Sequence, residues 1–227
     1  MLAVKVVNYK YIVSEKGKQM NEEKDQNMTE VEKALAGMFY DAQNKEIDKE
    51  RVRSQGLSYQ YNLLSPLEQK KRDEFIKKEI GSIGEGFRIE QPFYCDFWKN
   101  VTIGKQFFSN YNFMILAPNK IVIGDDVRFA PNCGIYAAGH PFDPEDRIAG
   151  IEYTWPVKIG NNVWIGAGTA IVGGVSIGNN SVIAAGSVVV KDIPAGVLAA
   201  GNPCRVIRKL DPADDEKYKY GFPGFMV

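Results

Sequence analysis

The chain has 227 residues, 44% of them hydrophobic, enough for one domain with a sizeable core and an appendage. Its 28 basic and 28 acidic residues cancel and the pI is near 6.6, so no global field draws it to nucleic acid or to an anionic membrane. Three scattered cysteines, Cys95, Cys133 and Cys204, and the lack of any apolar run near the ~20 residues of a membrane span argue against a disulfide framework, a zinc ribbon and a membrane protein, so a soluble cytoplasmic chain in a reducing compartment is expected.

Residues 1–28 show no sustained pattern. SEKGKQMNEEKDQN is polar and charged, which predicts a mobile extension, and MLAVKVVNYKYIV is broken by Lys5, Asn8 and Lys10, a poor secretory h-region. Order begins at TEVE, a capping box with Thr29 as N-cap and Glu32 reaching back. Val31, Leu35, Met38 and Phe39 then mark one helical face. A second helical stretch runs through about Asp48 to Gln55. A third opens at SPLE, with Ser65 as cap, Pro66 in the first turn and Glu68 completing the box; Phe75, Ile76 and Ile80 supply its apolar side and Gly81 ends it. Residues 29–85 are therefore expected as a small helical segment.

After Gly86 glycine, valine, isoleucine and asparagine dominate. In IGNNVWIGAGTAIVGGVSIGNNSVIAAGSVVVKD an aliphatic returns every sixth place: Ile159, Ile165, Ile171, Ile177, Ile183 and Val189. Val163, Thr169, Val175, Ser181 and Ser187 follow four places behind, and Gly or Asn occupies many positions between, where the chain must turn. Six residues make one short strand and one turn, and three such units close a triangular coil. The fold class is mainly β, a parallel β-helix of stacked hexapeptide coils over residues 86–210. Upstream, Phe97, Ile103 and Ile115 fit one frame, with Ser109 in place of an aliphatic, and Ile123, Phe129 and Ile135 fit a frame shifted by two. Residues 137–156 do not repeat and are expected as a loop extruded from the coil; residues 211–227 form a C-terminal tail.

That loop holds the sole histidine, His140. A lone histidine is most often structural or solvated, but an extruded loop on a rigid scaffold is where function sits. One histidine cannot build a three-histidine zinc site in a chain, and no metal is expected; imidazole can instead accept a proton at physiological pH.

From about Thr29 to Arg208 the chain resembles the maltose/galactoside O-acetyltransferase family of hexapeptide-repeat enzymes. The resemblance is carried by FYDAQ, ERVRSQ, YNLL, FFSNYN, GHPFDPEDR, IGNNVWIGAG, AAGSVVVKDIP and AGNPCRVIRK, in order. It implies a left-handed helix, a homotrimer with sites between subunits, and transfer of acetyl from acetyl-CoA to a hydroxyl of a sugar-like acceptor. His140 would be the general base and the Asn110 amide an oxyanion donor. No cysteine falls at the base position, so direct transfer is expected rather than an acyl-enzyme. Asp41, Arg51 and Asp96 match acceptor contacts. Trp164, Ala167, Ala185, Val190, Lys191, Arg205 and Arg208 match the lining of the CoA groove, the cations suiting phosphates. Each also has a plainer role: Asn110 and Asp96 as coil-corner residues, Asp41 at a helix end, the cations on a solvated surface and Trp164 at a packed coil edge. One departure is visible. Just before KIVIG members of the family usually carry an aspartate near the acceptor, and here Ala117 and Pro118 stand, followed by Asn119; Glu152 and Tyr153 could shape the pocket instead. The competing readings are the same chemistry on a non-sugar hydroxyl, and a non-catalytic trimeric scaffold.

Overall fold

The computed structural model describes residues 27–211 and residue 213. The expected mobile extension, up to residue 26, and all but two residues of the expected tail lie outside the described residues. Among those described, no helix is long and apolar enough to cross a membrane.

The six-residue beat builds three parallel sheets that form the faces of a triangular solenoid. Face one stacks β2 (Ser82–Ile83), β5 (Val101–Ile103), β8 (Ile121–Ile123), β13 (Val157–Ile159) and β16 (Ser176–Ile177). Face two stacks β3 (Arg88–Ile89), β6 (Phe108–Ser109), β9 (Arg128–Phe129), β14 (Trp164–Ile165), β17 (Val182–Ile183) and β19 (Val197–Ala200), and ends in antiparallel β20 (Arg205–Lys209). Face three stacks β4 (Phe93–Cys95), β7 (Phe113–Leu116), β10 (Gly134–Tyr136), β15 (Ala170–Val172) and β18 (Val188–Val189). The first coil strand, β2, lies upstream of Gly86, where the change in composition places the solenoid's start; the glycines of GSIGEG hide a strand that pairs with β5.

The frame shift has a simple cause. Ile83, Ile103 and Ile123 stack in register twenty residues apart, whereas Ile159 and Ile177 stack eighteen apart. The early coils carry two extra residues, and these sit at the corner where face three turns into face one. Cys95 is the inward residue paired with Ile115, so Phe97 is not on the ladder. Phe97 adopts a left-handed backbone, φ 43°, and packs with Ala34, Tyr40, Ala42 and Ile47.

Turn chemistry repeats at the corners. Asn112, Asn132, Asn162 and Asn180 all have positive φ, and their side chains bond in pairs, Asn112 Nδ2 to Asn132 Oδ1 and Asn162 Nδ2 to Asn180 Oδ1, each at 3.0 Å. Cys95, Cys133 and Cys204 are buried free thiols; Cys204 packs into the core.

Among the described residues three helices precede the coils: α1 (Glu30–Leu35), α2 (Lys45–Leu63) and α3 (Gln69–Glu79). The Thr29–Glu32 capping box is formed. Helix α1 ends before Met38 and Phe39, because Gly37 takes φ 75° and turns the chain; Phe39 then stacks on Tyr153. SPLE is a turn rather than a cap. Glu68 N–H donates to Ser65 O, and α3 starts at Gln69. Helix α2 is longer than expected and lays a polar stripe on the first coil. Ser54 Oγ accepts from Phe97 N–H at 2.9 Å, Ser58 Oγ accepts from Cys95 N–H at 3.1 Å, and Asn62 bonds both N–H and C=O of Phe93 at 2.9 Å. Spaced four apart, these side chains stand in for a missing neighbour strand of β4.

The extruded loop is ordered. β11 (Ala138–Gly139) and β12 (Ile151–Thr154) form an antiparallel hairpin around α4 (Pro144–Ile148), and β1 (Tyr40–Asp41) joins β12 as a third strand. Buried Asn119 pins the assembly: its amide donates to Ala34 O and Thr154 O at 2.9 and 3.2 Å.

Candidate functional site

All departures from the repeat stack at one corner, between faces three and one. The turn after β4, the turn after β7 and the 137–156 loop lie there in successive coils. Helix α2 closes the outer side. The result is a cavity of about 680 Å³. Its walls come from α2 (Arg51, Gln55, Ser58, Tyr59, Asn62), from the coils (Tyr94, Asp96, Met114, Leu116, Pro118), and from the loop and β1 (His140, Glu152, Tyr40).

His140 directly follows β11 and is exposed to the cavity. Its position is braced on both sides. Gly139 lies under the Tyr153 ring, where an added Cβ would come within 2.6 Å of the ring, so no larger residue fits without displacing the tyrosine. Beyond it, Arg147 Nη1 donates to Pro141 O and Phe142 O at 2.8 and 2.7 Å.

Asp96 and Glu152 face the same cavity. Burial pushes the Asp96 carboxyl up to about 6, and the Glu152 charge acts in the same direction; the Ala117 N–H, which donates to Asp96 Oδ1, and the Arg51 guanidinium oppose them. Glu152 Oε2 accepts from the Tyr40 hydroxyl at 2.7 Å. Tyr40 is 2% exposed; burial first, and that hydrogen bond second, raise its pKa well above the ordinary tyrosine value. One cation, two carboxyls, several amide and hydroxyl groups and aromatic walls suit a small polyhydroxylated molecule.

The other expected residues are spread along the prism. Asp41 does not line the cavity: its carboxylate accepts from Gln43 N–H at 2.8 Å in the turn after β1. Asn110 lies at the other end of face three, where its Oδ1 accepts from Tyr111 N–H at 2.7 Å. Trp164 stands outward on β14, 55% exposed, and Ala167 and Ala185 stack at the same corner as Asn110, Gly186 N–H donating to Ala167 O at 2.7 Å. Val190 and Lys191 line a second cleft of about 540 Å³ further along the His140 corner, with Trp155, Gly173 and Gly174. Arg205 and Arg208 are exposed on β20. The cavity wall given by α2 escapes a sequence reading; the available signal is the i, i+4 spacing of Arg51, Gln55 and Tyr59 along one side of the helix, beside the Ser54, Ser58 and Asn62 stripe.

Comparison with known proteins agrees with this architecture. Residues 156–191 match the family model "Bacterial transferase hexapeptide (six repeats)", and residues 33–84 match "Maltose acetyltransferase hexapeptide capping motif". A putative acetyltransferase of Saccharomyces cerevisiae is 50% identical over 191 residues, 84% of this chain and 97% of that protein. The crystal structure of a maltose O-acetyltransferase from Clostridium difficile 630 is 47% identical, with a TM-score of 0.79 over 81% of this chain and 98% of its own. A galactoside acetyltransferase solved in complex with coenzyme A is 41% identical, with a TM-score of 0.80 over 85% and 96%.

Proposed function

The chain belongs to the maltose/galactoside O-acetyltransferase family of hexapeptide-repeat enzymes, and on that premise we propose that it transfers acetyl directly to a hydroxyl of a sugar held in the cavity, with His140 as general base. The observation that carries this reading is His140 on the wall of the same cavity as Arg51, Asp96 and Glu152.

A sugar hydroxyl keeps its proton at neutral pH and is a weak nucleophile. The His140 imidazole accepts that proton as the hydroxyl attacks. Asp96 accepts hydrogen bonds from neighbouring hydroxyls and Arg51 donates to them, so the reacting hydroxyl is presented in one orientation. The Asn110 amide N–H stabilises the charge that builds on the carbonyl oxygen. Within one chain Asn110 and His140 flank face three, and β7, four residues long, spans roughly 13 Å between those corners. One copy therefore cannot aim both at one carbonyl. A homotrimer in which the Asn110 corner of one copy meets the His140 corner of the next brings them together, and it also joins Trp164, Ala167 and Ala185 to Val190 and Lys191. Asp41 lies outside the cavity of its own chain, and its proposed acceptor role rests on the resemblance of FYDAQ.

Acetyl-CoA, when bound, supplies the acetyl group as a reactive thioester. The residues fit it: Lys191, Arg205 and Arg208 are exposed cations for phosphates, the Trp164 ring offers a flat apolar face, and the small side chains of Ala167 and Ala185 leave the backbone approachable. The three buried thiols suit the reducing cytoplasm.

The test is thiol release from acetyl-CoA with a panel of mono- and disaccharides, comparing wild type with His140→Ala. Acceptor-dependent release that falls by ~10²–10⁴ in the variant is expected. Release only with non-sugar hydroxyl compounds would move the acceptor class. Failure of acetyl-CoA to stabilise the protein, when a ligand at 100 times its Kd adds about 2.7 kcal/mol, would favour a scaffold.

A further inference from the structure

Resting on the reading of Lys191, Arg205 and Arg208 as cations for the acetyl-CoA phosphates, we propose that the segment 211–227 is a tethered competitor for that site. Its letters, DPADDEKYKYGFPGFMV, place the carboxylates Asp214, Asp215 and Glu216 just behind the cation strand, and the aromatic residues Tyr218, Tyr220, Phe222 and Phe225 behind those. Strand β20 offers a surface of matching chemistry. Each of its residues is exposed, so Arg205, Arg208 and Lys209 stand beside Val206 and Ile207, which are 45% and 59% exposed. Arg205 Nη1 donates to Cys204 O at 2.7 Å and Arg208 Nη1 to Lys209 O at 3.0 Å, which holds both guanidinium groups against the strand.

The way the chain leaves the strand keeps the segment near it. Leu210 N–H donates to Gly196 O at 2.9 Å and pins the strand's end. Ala213 N–H then donates to Asp211 Oδ1 at 2.9 Å, an Asx turn that bends the chain. Asp214 to Glu216 follow within roughly 17–25 Å of chain from Lys209, and β20 itself is about 17 Å long, so the acidic run reaches every cation on the strand. Carboxylates meet a guanidinium fork with the same paired oxygens as a phosphate. A partner on so short a tether acts at a local concentration on the order of mM. The acidic run takes the cations when acetyl-CoA is absent and yields them as it enters, while the aromatic residues cover Val206 and Ile207. The segment thereby sets the acetyl-CoA concentration at which the enzyme turns over and leaves the chemical step alone.

The experiment measures CoA affinity by calorimetry and acetyl-CoA KM by steady-state kinetics, with thermal melts as the folding control. It compares the full chain with a triple variant, Asp214→Asn, Asp215→Asn and Glu216→Gln, and with a chain ending at Asp211. Loss of the competitor predicts a roughly three- to tenfold tighter CoA Kd and an equal fall in acetyl-CoA KM in both variants, with kcat and acceptor KM unchanged. A synthetic peptide of residues 211–227, added to the shortened chain at concentrations on the order of mM, should raise acetyl-CoA KM again, competitively. A CoA Kd within about twofold of the full chain in either variant overturns the inference alone. So does weaker binding in either, which would make the segment a part of the CoA site. Failure of the full chain and of both variants to bind CoA overturns the acetyltransferase reading, and this inference with it.

Discussion

The first coils and the last coils obey one repeat and solve it differently. Two inward ladders run Phe87, Phe107, Val127, Val163, Ser181 and Phe93, Phe113, Cys133, Thr169, Ser187, large at the start and small at the end. The coil shrinks with them, twenty residues between Ile103 and Ile123, eighteen between Ile159 and Ile177, sixteen between Ile177 and Ile193. In the wide coils, rings fill the prism: Phe113 packs on Phe93, Phe107 and Phe129 with centroids 5.9, 6.2 and 4.5 Å away. In the narrow coils, hydroxyls bond to the turns, Thr169 Oγ1 to Gly166 O at 2.7 Å and Ser187 Oγ to Ala184 O at 2.6 Å. The solenoid is a tapered prism, and the residues that widen it also form the cavity corner. Core size and site are one decision of the chain.

The aromatic ladder of the wide coils is where a single substitution should cost most. Phe113→Ala should cost about 3–5 kcal/mol in urea unfolding, since the wide coils cannot collapse around the hole. A cost below about 1.5 kcal/mol would mean that the aromatics do not hold the wide coils open. The wide corner itself is probed through Asp96. Its carboxyl, ordinarily near 3.8, is pushed up to about 6 in the fold, so between those values the native state holds more protons than the unfolded chain. Stability from this group is therefore present in acid and lost as pH rises through about 6, by up to about 3 kcal/mol. Asp96→Asn should flatten the melting temperature against pH between 4 and 6.5; an unchanged slope would put that carboxyl in contact with water. The smallest effect is at Ser109, a small residue among the rings, whose buried hydroxyl has no partner among the described residues. Ser109→Ala should stabilise by about 1 kcal/mol, the desolvation cost of an unpaired hydroxyl; destabilisation would reveal a hydrogen bond.

The narrow half is more legible in the sequence than the wide one, for a physical reason. From Ile159 to Val189 every coil has three equal turns, so the inward ladder keeps a strict beat. Upstream, two residues added at one corner look like a change of frame, and Phe97 falls on the beat by chance while Cys95 takes the inward place. The loop with His140 stands out because it breaks the pattern. Helix α2 does not, because Arg51, Gln55 and Tyr59 carry no motif, and only the three-dimensional corner shows what they face. SPLE has the letters of a cap, yet the chain uses them for a turn, Glu68 N–H donating to Ser65 O, and α3 starts at Gln69.

A stack of hydrogen-bonded coils has no natural length, and either end could seed another coil or another molecule. Here one edge at each end is finished. Ser54, Ser58 and Asn62 consume the backbone groups of the first face-three strand, and the reversed strand Arg205–Lys209 covers the last edge of face two with exposed side chains and no parallel template. Strand addition at these two edges is thereby blocked. The helix that walls the cavity is thus also a terminator, and a truncation that removed it would be read first as fibres and only second as lost turnover.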